Sequence, residues 1–130
     1  MNDAVKKILS DNTWFVGTVG DGPNVVPVGF NMVAEDGNLI LADVAMKTTK
    51  DNIIANGQIA VTVCDGETKK AYMVKGEATY MAEGPVVDKL NQVAEQIKLP
   101  FRAKGAVIVK PTKVLAKHPG PENDQEIEWI

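Results

Sequence analysis

The 130 residues predict a mainly β protein, with about six antiparallel strands, two or three helices, and a sheet curled into a closed or partly open barrel. Three observations carry that prediction. Short runs rich in Val, Ile, Leu, Tyr and Thr recur along the chain between glycine-bearing turns. Two of these turns, Gly20-Asp21-Gly22-Pro23 and Asp36-Gly37, join apolar segments and read as successive hairpins. Helical spacing of apolar residues is confined to a few short stretches.

Taken in order, Val5, Ile8 and Leu9 stand at i, i+3 and i+4 and place a short amphipathic helix over residues 3–11. Trp14-Phe15-Val16-Gly17-Thr18-Val19 reads as the first strand, Val25 to Val33 as the second and Leu39 to Val44 as the third. The period changes after Met46: Thr48 or Thr49 can cap a helix that Asn56-Gly57 ends in a left-handed residue. Ile59 to Cys64 reads as a buried strand that turns at Asp65-Gly66. A strand over Lys70 to Met81 is long enough to need a bulge, which Gly76 marks. After Gly84-Pro85, a second amphipathic helix sets Val86, Val87, Leu90, Val93, Ala94 and Ile97 at helical spacing. Residues 105–117 return to strand character, interrupted by Pro111. The length suits one domain, residues 1–130, of which 118–130 form a tail ending in Ile127-Glu128-Trp129-Ile130.

Composition excludes several classes of function. A net charge of −3 without a basic block offers no electrostatic footprint for nucleic acid. No apolar run is long enough to span a bilayer, and Met1-Asn2-Asp3-Ala4-Val5-Lys6-Lys7 has no signal-peptide core, so a cytoplasmic protein is expected. Cys64 is the only cysteine, which forbids an intrachain disulfide and fits a reducing compartment. Its Val/Ala/Thr surroundings predict a small core residue rather than a nucleophile. His118 is the only histidine, so neither a zinc site nor a nucleophile–histidine triad is expected. Asp51, Asn52 and the acidic tail read as solvated groups, and no carboxylate pair stands out as an acid/base couple. No catalytic residue is visible.

Two stretches carry chemistry. In Lys47-Thr48-Thr49-Lys50-Asp51-Asn52 a strand ends, two hydroxyls and two ammonium groups follow, and a helix begins. A helix N-terminus offers free N–H groups and partial positive charge, which suits a phosphate. The same residues also fit an ordinary capped surface helix with solvated lysines. In the strand Val25–Met32, Val26, Val28, Phe30 and Met32 share one face, read as core. Val25, Pro27, Gly29 and Asn31 share the other, where missing side-chain bulk and an absent N–H let an aromatic heterocycle approach the main chain. A proline-protected edge strand would look the same.

The order of these features resembles the FMN-binding split-barrel proteins related to pyridoxamine 5′-phosphate oxidase. From roughly Trp14 to Leu115 the sequence runs through an Asp-Gly-Pro turn, a Pro/Val strand, Asp-Gly, Leu39-Ile40-Leu41, and Lys-Thr-Thr-Lys-Asp-Asn-Ile-Ile-Ala-Asn over residues 47–56. The resemblance implies a six-stranded antiparallel split β-barrel that binds FMN. It implies phosphate contacts from Lys47, Thr48, Thr49 and Lys50, and ring contacts from Val28, Gly29, Phe30 and Asn31, with Asp43 and Val44 on the adjoining strand. It also implies a homodimer with the flavin at the subunit interface, bordered by Arg102 or Lys104 of the Phe101-Arg102-Ala103-Lys104 stretch.

A flavin brings its own redox chemistry, which suits a chain with no visible catalytic constellation. The resemblance therefore implies an FMN-binding redox protein, a small flavin reductase or electron carrier with an unidentified partner. Oxidation of pyridoxamine phosphate itself is not expected, because that substrate needs a second anion site and Arg102 is the only arginine. The alternatives are a non-catalytic binding or storage module for FMN, haem or a deazaflavin, and a cofactor-free dimeric structural protein. The apolar end of the tail is expected to dock: Trp129 or Ile130 either covers the partner's flavin or packs on its own barrel.

Overall fold

A computed structural model describes all of residues 1–130. Eleven elements follow in order: α1 (Asp3–Asp11), β1 (Trp14–Val19), β2 (Pro23–Val28), β3 (Asn31–Val33), β4 (Leu39–Asp43), α2 (Thr48–Asn56), β5 (Gln58–Cys64), β6 (Ala71–Met81), α3 (Pro85–Gln96), β7 (Gly105–Ala116) and β8 (Glu126–Ile127). The strands form one antiparallel sheet in the order β2-β1-β5-β6-β7-β4-β3, with β8 added beside β7. The sheet curls into a half-barrel whose two end strands, β2 and β3, are consecutive in the chain but not paired with each other.

The two strands beyond the expected six have local causes. Residues Val25–Val33 do not run as one strand: the ladder with β1 stops at Val28, and a new ladder with β4 starts at Asn31. Gly29 and Phe30 carry the chain across this break. The other addition comes from the tail, which pairs Ile127 with Val114 and Glu126 with Leu115. The expected bulge is present between Lys75 and Gly76. Pro111 stands opposite Gly76 at this irregularity, so β7 passes through a residue without an N–H and continues to Ala116.

Inside the curl, a core of 20 buried residues gathers alternate side chains of every long strand, including Val16, Leu41, Val61, Val74 and Val109. Helix α1 contributes Val5 and Leu9 to it, capped at its start by Asn2, whose side chain accepts from the Val5 N–H. On the other face of the sheet, Val87 and Leu90 of α3 pack on Ala42 and Ala106 to form a smaller cluster. Helix α2 ends as its sequence predicts, with Gly57 at φ 68° donating to the Ile53 carbonyl. No helix is long and apolar enough to cross a membrane.

Two expectations about single residues fail. Cys64 is exposed, because it falls on the outward phase of β5. Asn52 is buried rather than solvated, and its amide donates to Thr18 Oγ1 at 3.1 Å. His118 is buried at the base of the tail, its Nδ1 against the backbone of Ala71 and its Nε2 on the Glu122 carboxylate.

Candidate functional site

Between β2 and β4, at the gap left by the unpaired end strands, the half-barrel leaves a cavity of about 510 Å³. This volume lies within the range of small-molecule sites, about 300–1,000 Å³. Val26, Val28, Phe30, Val44, Met46 and Phe101 give it apolar walls. At one end stand Asn24, Lys47, Thr48 and Thr49. The cavity is thus an apolar slot with a polar end.

The polar end is the start of α2. Lys47 is the capping residue and supplies no side-chain hydrogen bond, contrary to the expected threonine cap. The first helical bond runs from the Asp51 N–H to the Lys47 carbonyl at 3.0 Å. The N–H groups of Thr48, Thr49 and Lys50 therefore have no acceptor within the chain. Lys47 and Thr48 are exposed, whereas Thr49 is buried with its Oγ1 accepting from Asn24 Nδ2 at 2.9 Å. Unpaired donors, a lysine and the positive end of a helix dipole converge on one point, an arrangement suited to an anion.

The loop that presents these donors is held from below by Asp43. This carboxylate is fully buried; it accepts the Met46 N–H at 2.8 Å and the Tyr80 hydroxyl. Burial first, then the bond to Asp43, push the Tyr80 phenol well above its ordinary range. Lys50 lies over the Tyr80 ring, 4.8 Å from its centroid.

Of the residues singled out from the sequence, Val28, Gly29, Phe30, Val44, Lys47, Thr48 and Thr49 line the cavity together. Asn31 lies outside it, its amide donating to the Val28 carbonyl while Oδ1 is buried without a partner. Asp43 and Lys50 form the support just described, not the lining. Arg102 is exposed beside Asp88 and Glu95 on the outer side of α3, and the exposed Lys104 meets this region only through its N–H, which donates to the Asp43 carbonyl at 2.8 Å. Trp129 is buried against its own barrel, with Nε1 donating to the Gly37 carbonyl at 2.9 Å.

Both faces of β2 reach the cavity. Asn24, Val26 and Val28 of one face line it, and so do Pro27 and Gly29 of the face expected to meet a heterocycle, while Val25 of that second face is 68% exposed and Asn31 lies outside. The end strands β2 and β3 separate here, so the edge of β2 is open and residues of both its faces border the space. Sequence reasoning missed Asn24 and Phe101. Asn24 looks like the tail of a turn, and Phe101 stands in a stretch noticed for its basic residues.

Comparison with known proteins agrees with this geometry. A family profile described as pyridoxamine 5′-phosphate oxidase matches residues 1–120. An uncharacterized protein of Methanocaldococcus jannaschii is 31% identical over 126 residues, covering 94% of this chain and 84% of its own. Among solved structures, HupZ of Group A Streptococcus superposes with a TM-score of 0.84 at 21% identity, over 92% of this chain and 96% of that one. An FMN-binding protein from Syntrophomonas wolfei gives 0.76 at 18% identity, over 88% and 84%. The half-barrel is thus the split barrel that the sequence resembles, shared with chains whose sequences have diverged widely.

Proposed function

The chain belongs to the pyridoxamine 5′-phosphate oxidase family, and we propose that it binds FMN in the cavity between β2 and β4 and serves as a small flavin reductase or electron carrier. One observation carries the reading: the apolar slot and the uncapped start of α2 lie end to end. The slot suits an isoalloxazine ring, and the donor end suits a terminal phosphate. The FMN-binding protein of the same fold supports the choice of ligand.

When bound, the flavin supplies the redox chemistry. The chain's own residues have narrower tasks. Val28, Phe30 and Val44 exclude water from the ring, the N–H groups of Thr48 to Lys50 and the Lys47 ammonium hold the phosphate, and Asp43 keeps their loop in place. Pyridoxamine phosphate oxidation stays outside this reading. Its substrate would need a second anion site, whereas Arg102 lies on the outer side of α3 and His118 is engaged in the tail. A homodimer completes the proposal. Phe15, Val25 and Pro27 leave an apolar patch on the outside of β1 and β2, and Pro27 also borders the cavity.

The test is to purify the protein, release its ligand by denaturation and identify it by mass spectrometry. FMN is expected, and titration should show much weaker binding of FAD, because free N–H groups at a helix start beside the Lys47 ammonium suit a terminal phosphate dianion better than a diester. A Soret band, a deazaflavin, or a colourless protein indifferent to added FMN would each defeat the reading.

A further inference from the structure

We infer that Asn24 is a positioning residue that turns the Thr49 hydroxyl proton toward the cavity, so that the donor-rich polar end selects a phosphomonoester over the corresponding alcohol. The inference rests on the FMN reading above and deepens it. Four side chains form a chain of hydrogen bonds behind the cavity wall: Asn52 Nδ2 donates to Thr18 Oγ1 at 3.1 Å, and Asn24 Nδ2 donates to Thr18 Oγ1 at 3.3 Å and to Thr49 Oγ1 at 2.9 Å. Thr18, Thr49 and Asn52 are all at least nine-tenths buried, so the network has little freedom to exchange with water.

The consequence lies in the proton of Thr49. A hydroxyl has one proton to give and lone pairs that accept. Here the oxygen already accepts from Asn24, and no group in the chain accepts the Thr49 proton. Thr49 is only 2% exposed, yet it lines the cavity, so the ligand is the acceptor available to that proton. The same end presents the three free N–H groups of α2 and the Lys47 ammonium, all donors, beside the Thr48 hydroxyl and the Asn24 carbonyl, which can accept. A phosphate dianion brings several acceptors and the charge to meet these donors together. An alcohol brings one oxygen and no charge, so most of the donors lose their partner. The Asn24 N–H donors are spent on Thr18 and Thr49, so Asn24 acts on the phosphate through Thr49.

The experiment compares FMN with riboflavin, which share the ring and ribityl chain and differ in the phosphate, by quenching of flavin fluorescence. The variants are Asn24→Ala, Thr49→Val and the double variant, each checked by thermal melting. Wild type should prefer FMN strongly. Thr49→Val should lose about tenfold or more of that preference, and Asn24→Ala a large part of the same loss. In the Thr49→Val background Asn24→Ala should change nothing further, because its effect runs through that hydroxyl. Asn24→Ser, too short to reach Thr49, is expected to match Asn24→Ala and stands in for it if the alanine variant does not fold. Additive losses, or an Asn24→Ala protein with undiminished preference, would overturn the role of Asn24 while leaving the phosphate site intact. An increased preference would overturn it too, by showing that Thr49 donates to the Asn24 carbonyl instead. A wild-type protein that binds both flavins equally would overturn the phosphate site itself.

Discussion

At the start of α2 the chain leaves donors unpaired beside an open cavity; at its C-terminal end it ties the side chains of His118 and Trp129 to other parts of the fold. The tail, residues 118–130, is stitched to several other parts of the molecule. β8 joins β7, the Asn2 N–H donates to the Trp129 carbonyl at 2.8 Å, and the Trp129 indole reaches the β3–β4 turn at Gly37. Gly37 has φ 90°, and a Cβ there would fall 3.2 Å from the indole nitrogen and closer still to Ile130. The tail is thus anchored to the core through Trp129, with Ile127 packed beside it, while most of its other residues stay exposed. The cavity end has the opposite character: exposed Lys47 and Thr48, and a helix start without a side-chain cap. Stability and binding are thus assigned to different regions, and substitutions should separate them.

The largest separation is expected from Trp129→Ala. Removing a large buried aromatic should cost about 3–5 kcal/mol and lower the melting temperature by about 10 °C or more. The preference for FMN over riboflavin should not change in the protein that remains folded. A lost preference with an unchanged melt would place Trp129 over a flavin, as one reading of the sequence expected.

Lys47→Ala combined with Thr48→Ala should do the reverse. Losing a charge contact and a hydroxyl from a phosphate should cost about 2–4 kcal/mol of FMN binding. Both side chains are exposed, so the melt should move by no more than about 0.5 kcal/mol of stability. Calorimetric titration beside thermal melting checks both halves.

Tyr80→Phe tests the hinge between the two regions. It removes a hydrogen bond from the fully buried Asp43 carboxylate, a loss of about 1.5–3 kcal/mol for a bond to a charged group. Because Asp43 also holds the Met46 N–H below the loop that starts α2, FMN affinity should weaken along with stability. Loss of stability with unaltered affinity would show that the loop stands without this support.

The sequence made most of the fold legible because local signals agreed with the tertiary structure. Val5, Ile8 and Leu9 marked α1, Asn56-Gly57 ended α2, and Gly76 located the bulge, each through chemistry confined to a few neighbours. The apolar residues that line the cavity and the donor-rich start of α2 were legible for the same reason. Hidden features depend on distant partners. Nothing near Asn24 announces Thr49, 25 positions away, and nothing near Trp129 announces Gly37, 92 positions away. That residues of both faces of β2 border the opening was hidden as well, because alternation fixes which residues share a face, not where the curled sheet stays open.

The smallest expected effect concerns pH and the tail. His118 is buried with Nε2 on the Glu122 carboxylate, Nδ1 against the Ala71 backbone, and its ring edge-on to Tyr72 at 5.4 Å. The bond to Glu122 first, and then the Ala71 backbone, hold the imidazolium form above its ordinary value of 6.5, while nearby Lys70 opposes them. The same bond holds Glu122 below its ordinary 4.5. A histidine whose pKa is higher in the folded state stabilises the fold fully below its unfolded value, and that contribution fades as pH rises through the folded value. A carboxylate lowered by folding stabilises above its unfolded value and loses the effect as pH falls through the folded one. The clamp should therefore be strongest between 4.5 and 6.5 and weaken on both sides. Glu122→Gln should remove the effect, because glutamine can accept from the ring but carries no charge to hold its proton. The melting temperatures of wild type and Glu122→Gln should accordingly differ most at about pH 6 and converge by about pH 9. A gap of equal size at both values would mean that Glu122 holds the tail as a neutral acceptor would, and that the tail does not respond to protonation of His118.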